Sequence, residues 1–423
     1  MATELDVRER LDALVDALRA RGEIRSAAVE AAFRAVPRHV FLPEAPLDRV
    51  YADEAIPTRY RDGVPISSSS QPAAMAIMLE QLDVRPGQRV LEIGAGTGYN
   101  AALLAYLAGP DGTVVTIDLD AEITAEAAAH LAATGYERVV LLTRDGAEGA
   151  PEYAPFDRII LTVGAWDIAP AWIDQLAPGG RLLVPLWLRG AQRTVAFERA
   201  DGHLASVSVS SCAFMRLRGD FAGPEGFLSL ATNGDDSMAL AVEDRAAHDP
   251  VAVARWLDQP GPATQVGESF EGQSLWKGIL FWLALREDDL CQLSADAEKS
   301  AHPLVPRLFG ISATYRWTLG LLGERGLALV LRAEPERAAG ENGDRPADLV
   351  VQAFGDDPAP AIRLAAAMRA WLAERDGERE PRLRVYPKGT APPGNGVATL
   401  IPKRQTDIVV DWPPAGSDLS PRV

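Results

Sequence analysis

The chain has 423 residues, a formal charge of −17 at pH 7, 47% hydrophobic and 24% charged residues, which is the balance of a globular chain longer than one ordinary domain. So acidic a surface disfavours nucleic acid and anionic lipid as partners. Cys212 and Cys291 are too few and too far apart for a disulfide framework or a zinc site, the N-terminus lacks an apolar signal segment, and no run is apolar enough to span a bilayer, so a cytoplasmic protein without a metal is expected.

Leu5, Leu11, Leu14, Val15 and Leu18 recur at helical spacing and predict a helix over 4–21 that stops at Gly22. A second helix is expected over 26–36, ending before Pro37. VPRHVFLPE then reads as a proline-bracketed extended segment, followed by a polar loop through Arg59, Arg61, Asp62 and Gly63. ISSSSQP, residues 66–72, leads into a helix over 72–82 with Pro72 in its first turn. From there QRVLEIG, TVVTIDLD, RVVLLTRD, FDRIILTVG and GGRLLVPLW read as strands, alternating with helices over 99–108, over 121–134 and in PAWIDQLA. That alternation predicts a parallel, doubly wound α/β sheet.

RTVAFERADGHLASVSVSSCAFM breaks the alternation and reads as two antiparallel strands turning at Asp201-Gly202, an addition at a sheet edge. The glycine-rich stretch 218–226 marks a boundary. Beyond it SMALAVED, KGILFWLAL, ALVLRA, DLVVQAFG, LRVYP and DIVVDWP are strand candidates, and VAVARWLD and IRLAAAMRAWLAER helix candidates. The expected organisation is a helical and substrate-side segment over 1–65, a cofactor domain over 66–218, a C-terminal α+β domain over 226–413 and a tail over 414–423. Trp276, Phe281, Trp282, Tyr315, Trp317 and Trp371 enrich that last domain in aromatics, which at strand spacing fill a core more often than they line a groove.

The chemistry concentrates in Val90-Leu91-Glu92-Ile93-Gly94-Ala95-Gly96-Thr97-Gly98-Tyr99. A glycine loop between a strand and a helix exposes backbone N–H groups with no Cβ in the way. A dinucleotide site wants a small residue two positions beyond the second glycine's successor, where Tyr99 stands, so GAGTG disfavours a dehydrogenase and matches class I methyltransferases. Asp118, at the end of the next strand, is placed to accept both hydroxyls of a ribose, with Asp120 as the fallback if that strand runs longer. Asp145-Gly146, after the third strand, stands where an acid accepts from an adenine amino group; a plain turn is the alternative.

With these pieces, residues from about 5 to 218 resemble the protein-L-isoaspartate O-methyltransferase family. VPRH-F-P, SQP, VLEIGAGTGYNAALLA, RDGAEG, FDRIILTVGA and LAPGGRLLVPL carry the resemblance. It implies a class I methyltransferase, Rossmann-like fold with an antiparallel edge, and S-adenosyl-L-methionine as cofactor, leaving S-adenosyl-L-homocysteine. It implies that Gly94, Gly96, Gly98, Asp118 and Asp145 hold the cofactor, with Glu92, Thr97, Leu119 and Gly146 in the same pocket. Ser70, with Ser69 beside it, would face the substrate carboxylate. The chain departs from the family in its run of four serines, Ser67 to Ser70, and in its length beyond residue 218.

A carboxylate is already ionised at neutral pH, so its methylation needs no general base. The expected partner is a peptide or protein bearing Asp or isoAsp, with no nucleic acid and no membrane; the sequence leaves the oligomeric state open. Long, extended versions resemble enzymes that tailor ribosomally made peptides, lanthipeptides among them. A general isoaspartyl repair enzyme and a non-catalytic scaffold that binds S-adenosylmethionine are the competing readings.

Overall fold

The computed structural model describes residues 4–61, 64–232, 235–270, 275–310, 315–334, 347–374, 381–392 and 398–411. The chain forms two compact units, one of Met1–Leu186, Gln192–Gly223 and Glu380–Val423, the other of Trp187–Ala191 and Pro224–Arg379. Among the described residues no helix is long and apolar enough to cross a membrane.

The first unit opens with helices α1 (Glu4–Ala20) and α2 (Ala27–Ala35). Ser26 caps α2 by accepting from the Val29 N–H. VPRHVF is not extended: Arg38–Phe41 is a single 3-10 turn. Such a turn puts residues three apart on one side, and both Arg38 and Phe41 are buried; a strand would send them to opposite faces. After the short helix α3 (Leu47–Val50), the expected polar loop is an antiparallel hairpin of β1 (Ile56–Arg61) and β2 (Val64–Ser69). Helix α4 (Pro72–Leu82) follows, with Pro72 in its first turn.

Then come β3 (Arg89–Ile93), α5 (Tyr99–Ala108), β4 (Thr113–Asp118), α6 (Ala121–Ala133), β5 (Val140–Thr143), β6 (Phe156–Leu161), the short α7 (Pro170–Asp174) and β7 (Leu176–Leu188). β3 pairs in parallel with β4 and β6, β4 with β5, and β6 with β7. Val90, Leu91, Val115, Ile117, Ile159 and Ile160 are buried, as strands covered on both faces require. β8 (Ala191–Ala200) and β9 (His203–Ser211) form the expected antiparallel edge, turning at Asp201-Gly202 with Gly202 at φ +74°.

The second unit is an antiparallel sheet of β10 (Gly226–Thr232), β11 (Asp235–Val242), β12 (Pro260–Phe270), β13 (Leu290–Asp296), β14 (Phe309–Gly310), β15 (Tyr315–Leu322), β16 (Gly326–Arg332) and β17 (Ala347–Gly355). Its order is β10-β11-β13-β15-β16-β17-β12, with β14 paired to β15. β10, β12, β13, β14 and β15 are strands that the sequence candidates do not include. KGILFWLAL, expected as a strand, falls in a π-helical turn at Leu275–Ile279 and helix α9 (Leu280–Ala284). A run this short and uniformly apolar has no period to tell helix from strand. Helices α8 (Pro250–Leu257) and α10 (Ala359–Glu374) stand where VAVARWLD and IRLAAAMRAWLAER place them.

The chain then rejoins the first unit, which corrects the expected boundary at 413. β18 (Arg382–Pro387) pairs with β9 at Arg384↔Ala205 and Val385↔Leu204, and β20 (Thr406–Asp411) and β19 (Thr399–Pro402) add beyond it. The sheet order becomes β19-β20-β18-β9-β8-β7-β6-β3-β4-β5. β9 would otherwise end the sheet with an open ladder; β18 satisfies it, buries Leu383 and Val385, and its Leu383 N–H donates to the Ser206 hydroxyl at 2.9 Å.

Candidate active site

β3 ends in the glycine loop at the carboxyl edge of the parallel strands. Gly94, Gly96 and Gly98 all have positive φ, at +108°, +51° and +87°. A Cβ at 94 would stand 2.5 Å from Thr162 Oγ1, and one at 98 would stand 3.2 Å from the Ala127 carbonyl. Side chains are therefore barred there by space as well as by conformation. The Gly94 and Ala95 N–H groups donate to the Ile117 carbonyl at 2.8 and 3.0 Å, which ties the loop to β4. Tyr99 is buried with its ring against Phe33 and Phe41, so the bulky residue that argues against a dinucleotide is a core residue.

Glu92 lies beneath the loop, fully buried, and accepts from Asn100 Nδ2 and Thr116 Oγ1, each at 2.7 Å. Burial pushes its carboxyl up to about 7, against the pull of those two donors. It braces the loop from behind and presents no oxygen to the crevice.

Asp118 ends β4 as expected, and its side chain is 11% exposed. Its Oδ2 accepts from the Gly96 N–H at 3.2 Å, and its Oδ1 from the Asp120 N–H at 3.3 Å. Burial raises its carboxyl above the ordinary range, opposed by the N–H groups of Gly96 and Asp120 and by Arg218. Asp120, the fallback, is instead the cap of α6, accepting from Glu122 N–H and paired with Arg61 at 3.2 Å. Leu119 is 41% exposed at the lip. The Thr97 carbonyl accepts from His130 Nδ1 at 3.0 Å.

Asp145 caps a 3-10 turn through the Ala147 N–H, and its Oδ2 accepts from the Asp220 N–H at 2.7 Å. Gly146 lies so close to Ile93 that a Cβ would stand 2.4 Å from its Cγ2, and its carbonyl accepts from Trp172 Nε1 at 2.8 Å. The partner of Asp145 exposes a feature the sequence reading missed. Residues 215–222, which run into the stretch 218–226 expected as a domain boundary, cross the strand ends: Arg218 comes within 3.9 Å of Asp118 Oδ1, and the Met215 carbonyl accepts from the Gly164 N–H at 2.7 Å. No local periodicity marks such a strap, because its contacts are long-range.

Three of the four serines, Ser67 to Ser69, end strand β2, and Ser70 lies just beyond it. Alternation puts Ser67 and Ser69 on one face, and both are buried: Ser67 accepts from the Thr58 hydroxyl and Ser69 from Arg38 at 3.3 Å. Ser69 thus belongs to the scaffold. Ser68 takes the other face, and Ser70 is half-buried past the strand end. The Ser68 carbonyl is 3.5 Å from where a Gly96 Cβ would stand, and its hydroxyl meets Met215 Sδ at 3.4 Å. Arg38, fully buried, donates to the Val50, Glu54 and Ser70 carbonyls at 2.7, 3.2 and 3.0 Å. It therefore fixes the Ser70 end of the rim; VPRH held the signal, but not the target.

A loop of three positive-φ glycines, an acid at the next strand end and a third loop at Asp145-Gly146 fit an S-adenosylmethionine, and the arrangement is that of a class I methyltransferase. A family model described as protein-L-isoaspartate(D-aspartate) O-methyltransferase matches residues 9–221, half of the chain. The protein-L-isoaspartate O-methyltransferase of Methanopyrus kandleri is 41% identical over 222 residues, covering 52% of this chain and 94% of that protein. That of Hyperthermus butylicus is 37% identical over 227 residues, covering 52% and 92%. A solved structure of a protein-L-isoaspartate O-methyltransferase is similar at 25% identity with a TM-score of 0.48, covering 88% of this chain and 96% of that one. The chain belongs to the protein-L-isoaspartate O-methyltransferase family and is an S-adenosylmethionine-dependent methyltransferase of protein or peptide substrates.

Proposed function

We propose that the chain esterifies an Asp or isoAsp carboxylate in a dedicated, ribosomally made peptide. The observation that carries the carboxylate reading is the juxtaposition of β2 with the glycine loop, the Ser68 carbonyl beside Gly96 and Ser70 two residues on, just past the strand end. The chain beyond residue 221, which the family model does not match, favours a dedicated substrate. Trp282 and Trp317 are buried and Trp276 packs on Trp317, so these aromatics of the second unit fill its core, while Tyr315 stands exposed. General isoaspartyl repair is the second reading, favoured by the 41% identity to a relative of that name.

Gly94, Gly96, Gly98, Asp118 and Asp145-Gly146 would hold the cofactor, which when bound supplies a methyl group on a sulfonium. The chain then has three tasks: to hold the substrate oxygen in line, to exclude water and to leave the carboxylate ionised. No base is called for. His39 is held by Tyr51 and pushed down by burial, and His130 is committed to Thr97. Ser70 donates one hydrogen bond to orient the carboxylate. The resulting methyl ester is attacked by the next backbone nitrogen, expelling methanol and closing a succinimide, which water opens to Asp or isoAsp.

Two measurements test this. Asp118→Ala abolishes calorimetric binding of S-adenosylhomocysteine, and unchanged affinity removes the ribose assignment. Ser70→Ala keeps that binding while lowering kcat/KM by about 5- to 100-fold, the loss of one hydrogen bond worth about 1–3 kcal/mol. Brisk turnover of a generic isoAsp hexapeptide would decide for repair.

A further inference from the structure

The strap formed by residues 215–222 touches each part of the cofactor crevice, through Ser68, Asp118 and Asp145. A segment with so little regular structure needs an anchor on its outer side. That anchor lies in the turn between β19 and β20, nearly two hundred positions away. Arg404 donates from its two terminal nitrogens to the Asp220 and Ala222 carbonyls at 3.4 and 3.1 Å, and its guanidinium lies 6.0 Å from the Phe221 ring. Phe221 in turn meets Trp172 edge-on at 5.6 Å, and Trp172 holds the Gly146 carbonyl.

The same turn is bolted to the loop after β6. Asp167 is 1% exposed; its Oδ1 accepts from Thr406 Oγ1 at 2.6 Å and its Oδ2 from the Gln405 N–H at 2.6 Å. Lys403 is buried with its ammonium 4.3 Å from the Trp166 ring. A buried carboxylate satisfied by one turn fixes that turn's register.

We infer that Arg404 and Asp167 are positioning residues for the cofactor pocket, and that the C-terminal return completes the methyltransferase unit. The inference rests on the cofactor assignment proposed above. Arg404 has two carbonyls to hold and spans them with a planar fork, which a lysine does not reproduce.

The test uses the full chain. Arg404→Ala weakens calorimetric S-adenosylhomocysteine binding about 10-fold and speeds amide exchange at Asp220, while the thermal midpoint stays near that of the parent, because Arg404 is exposed. Arg404→Lys recovers part of the affinity. KM for the cofactor rises more than kcat falls. Asp167→Asn weakens binding likewise and also lowers the thermal midpoint, since Asp167 is buried and the amide replaces one of its two acceptor oxygens with a donor. Parent-like affinity and exchange in Arg404→Ala overturn the inference, as does a loss of affinity that tracks a loss of thermal stability across the two Arg404 variants. If the parent binds S-adenosylhomocysteine but methylates no carboxylate, the functional reading fails and this one stands; if the parent does not bind it, both fall.

Discussion

In the first unit the parallel strands all deliver loops to one edge, where glycines, Asp118, Asp145 and the serine rim gather, and an ionisable side chain, Glu92, is buried directly behind them. In the second unit Phe281 and Trp282 of α9 and Trp317 and Phe354 of the antiparallel strands are buried, and Gln292, Thr318 and Gln352 each donate to a backbone carbonyl. Neutral, paired groups such as these serve stability. A site that keeps a carboxyl buried beneath a loop of positive-φ glycines trades stability for a defined pocket. Aromatic content alone therefore does not identify the working surface of this molecule.

The sharpest way to break the comparison is to damage the second unit's core and ask whether the site notices. Trp317 packs edge-on with Trp276 at 5.1 Å and donates to Gln292 Oε1 at 2.8 Å. Trp317→Ala is expected to cost about 3–5 kcal/mol of that unit's stability, seen as an earlier unfolding transition. S-adenosylhomocysteine affinity is expected to hold within about twofold, as for sites that share no partners. A larger loss would mean that the second unit belongs to the pocket after all.

Glu92 offers a smaller, pH-dependent effect on the other side of the comparison. Its folded pKa is raised from 4.5 to about 7, so the folded protein binds the extra proton across that window. The stabilisation is complete below the lower value and is lost as pH rises through the upper one. Glu92→Gln keeps both hydrogen bonds, accepting from Asn100 and donating to the Thr116 hydroxyl, but never ionises. Between about pH 4 and about pH 8 the parent should lose up to about 3 kcal/mol relative to the variant in denaturant midpoints. A difference that does not change with pH, or that changes in the opposite sense, would refute the buried-acid account.

How legible was all this beforehand? The parallel sheet was, because apolar strand runs alternating with helical periods are local signals, and GAGTG with an acid ending the next strand marks the crevice. What escaped depends on pairing at a distance. LRVYP and DIVVDWP read correctly as strands, but nothing local says that their partner is β9. The Arg59–Gly63 stretch read as a loop, although the Asp-Gly step between Arg61 and Val64 is a hairpin signal. Ser69 ends β2 and is buried while Ser70 lies past the strand end, a step that nothing in a run of four serines marks. Arg38 stands in the VPRH motif, but it and Arg404 donate to backbone carbonyls, and such a partner leaves no pattern in the sequence.

The smallest effect concerns the hairpin that carries Ser68. Arg59 on β1 pairs with Glu122 and Glu126, one turn apart on α6, and Arg61 pairs with Asp120 at the start of the same helix. Glu122 and Glu126 are largely exposed, so each pair is worth under about 1 kcal/mol to folding. The latch nevertheless holds β2 over Gly96, so loosening it is felt at the ligand. Arg59→Ala is expected to leave the thermal midpoint almost unchanged and to weaken S-adenosylhomocysteine binding by about 2- to 5-fold, the equivalent of one exposed pair. S-adenosylhomocysteine has no net charge at neutral pH, so salt acts on its affinity mainly through such pairs. Raising the ionic strength should weaken binding to the parent and leave the variant nearly flat. Parallel salt dependences in the two proteins would show that the hairpin is a fixed wall, held by the Arg38 contacts to the Ser69 hydroxyl and Ser70 carbonyl alone.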